Sequence, residues 1–338
     1  MSEQRELLAD SAARAFQSYD RQRNAWHEIE ELGIADILVS DTNGGSGADW
    51  DDACAVLQVS GRWQIAQPIA EAMIARKLAA DAGVQLPRSP LSIAPDAAGT
   101  LSRDGRALKF SGILQSVPWG RDVSHVVTSL AFEHRTHTVV LSVKDAKLHK
   151  RTNLAGEPRD DLRFDAAEAL AAASTSRESQ HLFYYAALAR TAQIAGALQS
   201  ALERSIAYAL ERKQFGRAIG RFQAVQQQLA LFGAETAAAT CASRSAAIAA
   251  TTGDAPFQIA AAKLRANQAI GVATATAHQV HGAIGFTWEY ALRHATQRLW
   301  SWRSEYGNDR YWSEHLGRTV VARGADRFWA DLTGTGAG

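Results

Sequence analysis

Apolar positions recur at helical spacing over most of the chain, and at a spacing of two over one stretch that begins near residue 90. Leu7, Leu8, Ala12 and Phe16 share one side of a helix predicted over residues 3–19. A shorter helix over 24–33 closes at Gly33, and the apolar run Ile34–Val39 leads into a glycine-rich loop, Ser40 to Gly47. Asp49 stands where an N-cap is needed for a helix from about 50 to 60, and another helix is expected over 67–83. Pro87-Arg88-Ser89-Pro90 then breaks the pattern. Beyond it, β-branched or alternating runs at 91–94, 107–112, 125–129 and 138–143 are separated by Asp104-Gly105 and Pro118-Trp119-Gly120. They predict five or six short strands in a small barrel or sandwich. Residues 153–159 read as a polar turn leading out of it, with helical spacing returning from Ala166. Helices are expected over 178–212, 218–251, 255–282, 286–305 and 309–330, broken at Gly216, 253–256, 282–285 and Gly307. Small residues are dense at 186–201, 234–251 and 259–277, which suits close helix packing in an antiparallel bundle. The expected fold is therefore mainly α with a small β domain. It comprises an N-terminal helical domain over 1–86, an abbreviated middle β domain over 87–165, a C-terminal four-helix bundle over 166–332 and a flexible tail over 333–338.

Composition narrows the function classes. With 338 residues, 46% of them hydrophobic, the chain is globular and long enough for two or three domains. A formal net charge of +1 gives no electrostatic reason to expect nucleic acid or an anionic membrane as partner. No apolar run is long enough to span a bilayer, and the N-terminus lacks the apolar segment of a signal peptide. Cys54 and Cys241 match no metal or redox spacing, so no metal site is expected and a reducing, cytoplasmic setting fits. The loop at 40–47 has neither the Gly-x-Gly-x-x-Gly order nor a Gly-Lys-Ser/Thr, which argues against a nucleotide loop.

The stretch 208–231 carries more chemistry. Ile206, Leu210 and Phe215 precede the break at Gly216, and Val225, Leu229 and Phe232 follow it at helical spacing. Arg212, Lys213, Arg217 and Arg221 crowd the corner, with Phe215 and Phe222 between them. Guanidinium groups suit phosphate and aromatic rings suit a flat ring system, so the corner fits a flat anionic ligand. A solvated basic turn is the plainer reading of the charges by themselves.

The wording of two segments decides between these. "ERKQFGRAIGRFQAVQQQLA" resembles a segment of the flavin-dependent acyl-CoA dehydrogenases. Residues 279–290, "QVHGAIGFTWEY", resemble that family's second landmark, Gln-x-x-Gly-Gly-x-Gly-Phe-x-x-Glu, in the family's order and at about its separation. The resemblance implies a helical domain, a β domain and an oligomer-forming bundle, with FAD lying across a subunit interface. In such enzymes a carboxylate takes the α proton of an acyl-CoA thioester while the flavin takes the β hydride. Arg212 matches the arginine on the FAD pyrophosphate, Phe215 the aromatic beside it and Gln223 a polar residue near the adenosine. Gln279 and Gly282 match the loop that approaches the dinucleotide; the family's second glycine is Ala283 here.

Two departures stand beside these matches. Most of the family's Thr-Glu-Pro-x-Ala-Gly-Ser-Asp stretch is missing from residues 91–99, and its Trp-Ile-Thr segment is replaced by Val117-Pro118-Trp119-Gly120-Arg121. The position of the family's base, counted from Gln279, is Tyr306. Other members keep the base at a position counted back from Arg212 to about Ala187, and no carboxylate lies between Gln180 and Leu202. The candidates left for the base are Asp309 and Glu305. The pattern is similar to the short, base-lacking subunit of α2β2 acyl-CoA dehydrogenases acting on steroid or bile-acid side chains. That resemblance implies three partners: an acyl-CoA substrate, a base-carrying homologous subunit and an electron-accepting flavoprotein. The rival readings are a self-sufficient homo-oligomer using Asp309 or Glu305, and a non-catalytic scaffold or acyl-CoA-binding pseudoenzyme.

Overall fold

The structure, a computed structural model, describes residues 3–17, 19, 26–105, 107–175 and 180–333. By contacts the chain divides into two compact units, Met1–Ala53 with Ile65–Ala186 and Cys54–Gln64 with Ala187–Gly338.

The first unit begins with helices α1 (Glu3–Gln17) and α2 (Trp26–Glu31) and the start of α3 (Trp50–Trp63). Asp49 caps α3 as expected, its carboxylate accepting the Asp52 backbone N–H at 3.0 Å. The apolar run at 34–39 opens with a 3-10 turn over Ile34–Asp36, and the loop after it folds back tightly. Gly47 N–H donates to Val39 C=O at 2.8 Å, and a Cβ at Gly45 would collide with the Val39 carbonyl. Close packing, not ligand approach, accounts for glycine at that position. Helix α4 (Ile69–Asp81) is apolar on nearly every side and buried along most of its length. Its buried Arg76 pairs with Asp36 at 2.6 Å and with Glu30.

Eight strands follow: β1 (Leu91–Ala94), β2 (Ala97–Asp104), β3 (Ala107–Pro118), β4 (His125–Phe132), β5 (Arg135–Ser142), β6 (Lys147–His149), β7 (Arg159–Glu168) and β8 (Ala171–Thr175). They form two four-stranded sheets, ordered β1-β4-β5-β8 and β2-β3-β7-β6. One core joins them, with Ala94, Val126, Val139 and Leu141 from the first sheet and Phe110, Leu114, Leu162 and Phe164 from the second. The small sandwich is thus present, with more strands than expected, and helix does not return at Ala166. Strand continues through Glu168 and again through Thr175. The extra strands are polar or alanine-rich: β2 and β8 lie at sheet edges, and β7 opens Arg-Asp-Asp, so none shows the β-branched alternation that marks a strand.

The second unit is helical: α5 (His181–Glu211, from Ala187 on), α6 (Gln223–Thr252), α7 (Pro256–His281), α8 (Ala291–Ser304), α9 (Asp309–Arg323) and a short α10 (Phe328–Thr333). Helices α5 to α8 share one core built largely of alanine, with Leu198, Phe232, Ile270, Leu299 and Trp302 as its larger members. The remainder of α3 crosses α5 where Gly61 and Gly196 face each other's helix. A Cβ on Gly61 would collide with the Gln193 carbonyl, and one on Gly196 with the Gln58 carbonyl. Beyond Thr333 the expected tail lies outside the described residues.

Candidate functional site

The corner after α5 is made by two consecutive residues in the left-handed region, Phe215 at φ 50° and Gly216 at φ 78°. Lys213–Gln214 and Arg217–Ala218 form a two-rung antiparallel ladder around it. Ile219 N–H donates to Arg212 C=O at 2.8 Å, and α6 starts at Gln223. A Cβ on Gly220 would lie 3.1 Å from the Ala209 carbonyl oxygen, so this glycine lets the returning chain lie against α5.

The corner is open to solvent. Arg212, Lys213, Arg217, Arg221 and Gln223 are all exposed. Among the described residues no carboxylate pairs with any of the four cations. The Arg217 guanidinium sits 4.2 Å above the Phe222 ring, and Phe215 meets that ring edge-on at 6.2 Å. Phe215 is 91% exposed. A large apolar ring held in water on a left-handed backbone costs free energy on both counts.

The second motif lies at the same end of the unit. α7 ends at His281, and Gly282 takes φ 64° and ψ −145°, its N–H donating to His278 C=O. Tyr208, in the last turn of α5, stacks on His281 at 4.5 Å, which brings the ends of α5 and α7 together. His281 donates Nδ1–H to Ala277 C=O at 2.8 Å, and Tyr290 packs beside it. His278 stacks on Phe286 at 4.0 Å. Burial lowers the affinity of both imidazoles for protons, which keeps them neutral at pH 7. Gln279 and Gly282 are exposed beside these rings. Ala283 is also exposed, whereas a Cβ on Gly285 would lie 3.1 Å from His281 Cβ and 3.2 Å from Leu292. The glycine that packing demands is therefore Gly285. Tyr208, His278 and His281 escaped the sequence reading. Their only local signal was a pair of histidines spaced three apart at the end of a helix.

The two carboxylates considered for the base are both in ion pairs. Glu305 meets Arg190 at 3.0 Å, and Asp309 meets Arg303 at 2.7 Å. Tyr306 has φ 54° and lies under the Arg190 guanidinium at 5.5 Å, with Trp302 on the same cation at 5.2 Å. Ala187, the other family position for a base, is fully buried one turn before Arg190. Among the described residues no cluster of His, Cys, Asp and Glu is arranged for a metal; Cys54 is buried and Cys241 is an exposed free thiol. Among the described residues no helix is long and apolar enough to cross a membrane.

In the β sandwich the Val117–Arg121 turn is fixed by Asp160, which is fully buried. Its carboxylate accepts the backbone N–H of Arg121 at 2.8 Å, that of Arg151 at 2.9 Å and the Arg121 guanidinium at 2.5 Å. Trp119 is half-buried at φ 57°, its N–H on Pro158 C=O at 3.0 Å. Burial by itself raises the Asp160 carboxyl, but the Arg121 guanidinium and the two backbone N–H groups outweigh it and hold it below the usual range. Its stabilising contribution is therefore present above the ordinary carboxyl value and lost as pH falls through the lower folded value. Asp160→Asn is expected to cost about 2 kcal/mol at pH 7, since Arg121 is partly open to water. The difference from wild type should shrink in acid; urea melts at pH 7 and pH 3 check both, and an equal difference at the two values would refute the assignment.

These features define a class: a helical region, a β sandwich and a long-helix bundle, with an arginine–aromatic corner and a glycine-ended helix at one end of the bundle. The sequence profile of the acyl-CoA dehydrogenase C-terminal domain matches residues 177–319. The acyl-CoA dehydrogenase IpdE2 of Mycobacterium tuberculosis is 30% identical over 292 residues, covering 83% of this chain and 82% of its own. Among solved structures, the ChsE4–ChsE5 complex from Mycobacterium tuberculosis superposes with a TM-score of 0.85 at 19% identity, covering 95% of this chain and 98% of that one. A variant of the Tcur3481–Tcur3483 steroid ACAD gives 0.82 at 22%, covering 96% of each. The chain belongs to the acyl-CoA dehydrogenase family, oxidoreductases of acyl-CoA thioesters whose cofactor is FAD.

Proposed function

We propose that this chain is the base-lacking subunit of a heteromeric FAD-dependent acyl-CoA dehydrogenase. Its bundle end grips FAD, and a homologous partner supplies the base. The observation that carries this is the corner at 212–222: four exposed cations with no carboxylate partner among the described residues, beside an aromatic ring 91% exposed. A flat, anionic dinucleotide satisfies both, the guanidinium of Arg212 taking pyrophosphate and the Phe215 face covering a ring. Gln223, Gln279 and Gly282 stand on the same end and complete the grip. Bound FAD supplies the hydride acceptor for the β carbon.

The ion pairs of Glu305 with Arg190 and of Asp309 with Arg303 support placing the base on another chain, because both carboxylates are already engaged by side chains of this one. The likeness to the ChsE4–ChsE5 complex and to a steroid ACAD favours a two-chain assembly and a steroid side-chain thioester as substrate. A separate flavoprotein takes the electrons. The free, exposed thiol of Cys241 fits a cytoplasmic setting.

The test is the visible spectrum of the protein purified alone and after co-expression with a full-length homologous dehydrogenase. Flavin bands in the co-purified complex and not in the lone chain are the expected result. A yellow, active lone chain would assign it to the self-sufficient homo-oligomer. Within the active complex, Asp309→Asn is expected to leave turnover within about twofold, since Asp309 serves Arg303 at a helix start. Abolished turnover with flavin still bound would return the base to this chain.

A further inference from the structure

The helix α7 interior holds a lysine that no flavin contact uses. Lys263 is 0% exposed. Its ammonium donates to the backbone carbonyls of Trp302 at 3.1 Å, Gly307 at 3.2 Å and Arg303 at 3.4 Å, and to Asn267 Oδ1 at 2.7 Å. Asn267, also fully buried, sends its own N–H to Gly307 C=O at 3.2 Å. The Trp312 indole N–H takes the Tyr306 carbonyl at 3.1 Å. Four carbonyls, those of Trp302 and Arg303 in the last turn of α8 and those of Tyr306 and Gly307 in the turn beyond it, thus end on three buried side chains. Gly307 at φ 94° and Tyr306 at φ 54° give the turn a backbone shape that needs such support.

We propose that Lys263 is a positioning residue: it sets the conformation of the 302–307 turn, and with it the backbone at position 306, where the family resemblance puts a base. The proposal goes beyond the flavin grip, which lies at the far end of α5. Arg190, which packs on this turn, is roughly 33 Å along that helix from Arg212 at 1.5 Å per residue.

A buried lysine that clamps a turn couples the turn's opening to a proton. Burial pushes the Lys263 ammonium down to about 7; Glu305 and Asp309 oppose that, while Arg190 and Arg303 add to it. These four are the charged groups facing it, from α5, from α8 and its following turn, and from α9. Opening the turn releases the amine to water, where it titrates at its ordinary 10.5. Between these values the open turn holds more protons than the closed one. Opening is therefore favoured by acid and suppressed as pH rises, by up to about tenfold per pH unit. Below pH 7 both forms carry the proton and the dependence vanishes.

The experiment is amide hydrogen exchange of the full chain between pH 6 and 9.5, with each rate divided by its intrinsic chemical rate. Protection in peptides covering 302–312 is expected to be flat below pH 7 and to climb several-fold per unit above it, while α6 stays flat. Lys263→Met should lower protection of the same peptides at least tenfold at pH 7.5 and remove the slope. A flat wild-type profile would overturn the proposal. So would a slope shared equally by all helices, which would make Lys263 a general stabiliser of the unit. The wild-type profile decides even if the variant does not fold. Flavin retention is read separately, in the co-purified complex, so a failure of the flavin reading leaves this result standing.

Discussion

Replacing Arg212 with alanine is expected to weaken FAD retention by roughly 10- to 100-fold in the assembly that carries flavin, the range set by losing one or two charge-assisted hydrogen bonds. The geometry makes this a clean test. Arg212 is the last residue before the corner, and its carbonyl is already taken by Ile219 N–H, so the backbone does not depend on its side chain. The side chain is exposed and has no carboxylate partner among the described residues, so its removal leaves no buried charge behind. Folding should be untouched, which a thermal melt of the same variant verifies. Equilibrium dialysis or the flavin-to-protein absorbance ratio gives the retention. Unchanged retention would remove Arg212 from the grip and weaken the dinucleotide reading of the whole corner. Lysine at 212 should recover part of the effect, since it keeps the charge but not the forked geometry.

Gly196→Ala is expected to destabilise the protein by about 3 kcal/mol or more, against a total stability of about 5–15 kcal/mol for an ordinary domain. Helix propensity alone predicts the opposite, because alanine is favoured over glycine by about 1 kcal/mol in a helix interior. Tertiary contact reverses the sign. The new methyl would run into the backbone carbonyl of Gln58, and its next neighbour is the backbone nitrogen of Arg62 at 2.8 Å. Backbone cannot rotate away as a side chain can, so the crossing of α3 over α5 has to open. Gly271 on α7 is the internal control, because a Cβ there meets nothing within 4 Å. Gly271→Ala should therefore be neutral or stabilising. Urea denaturation of both variants settles the matter; a Gly196→Ala protein as stable as wild type would show that the two helices do not meet closely at this crossing.

The long helices were legible because their breaks are chemical. Gly216 and Gly282 both adopt positive φ, and Asp49 caps the helix it was expected to cap. β1 was legible to the residue, and β3, β4 and β5 were located though their ends moved. Of the remaining four, β6 is only three residues long, and the other three hide for a physical reason visible in each. β2 exposes most of its side chains, β8 is mostly alanine, and β7 carries its buried Asp160 where an apolar residue would have marked it. These segments become strands because neighbouring strands accept their hydrogen bonds, and that is not a property of the segments themselves.

The candidate site divides the same way. The local order of residues determined the arginine–aromatic corner, the glycine-ended helix and the missing carboxylate at position 306, since each lies within a short stretch. Only the tertiary structure decided that Tyr208 and His281 join the two motifs at one end of the bundle. It alone paired Glu305 with Arg190 and Asp309 with Arg303, and sent Lys263 to a turn forty residues away in the chain. Apart from Arg303–Asp309, six residues apart, these contacts join residues far apart in sequence and are stabilised by burial that the fold creates. No periodicity or spacing encodes them, because their partners are chosen by packing in three dimensions.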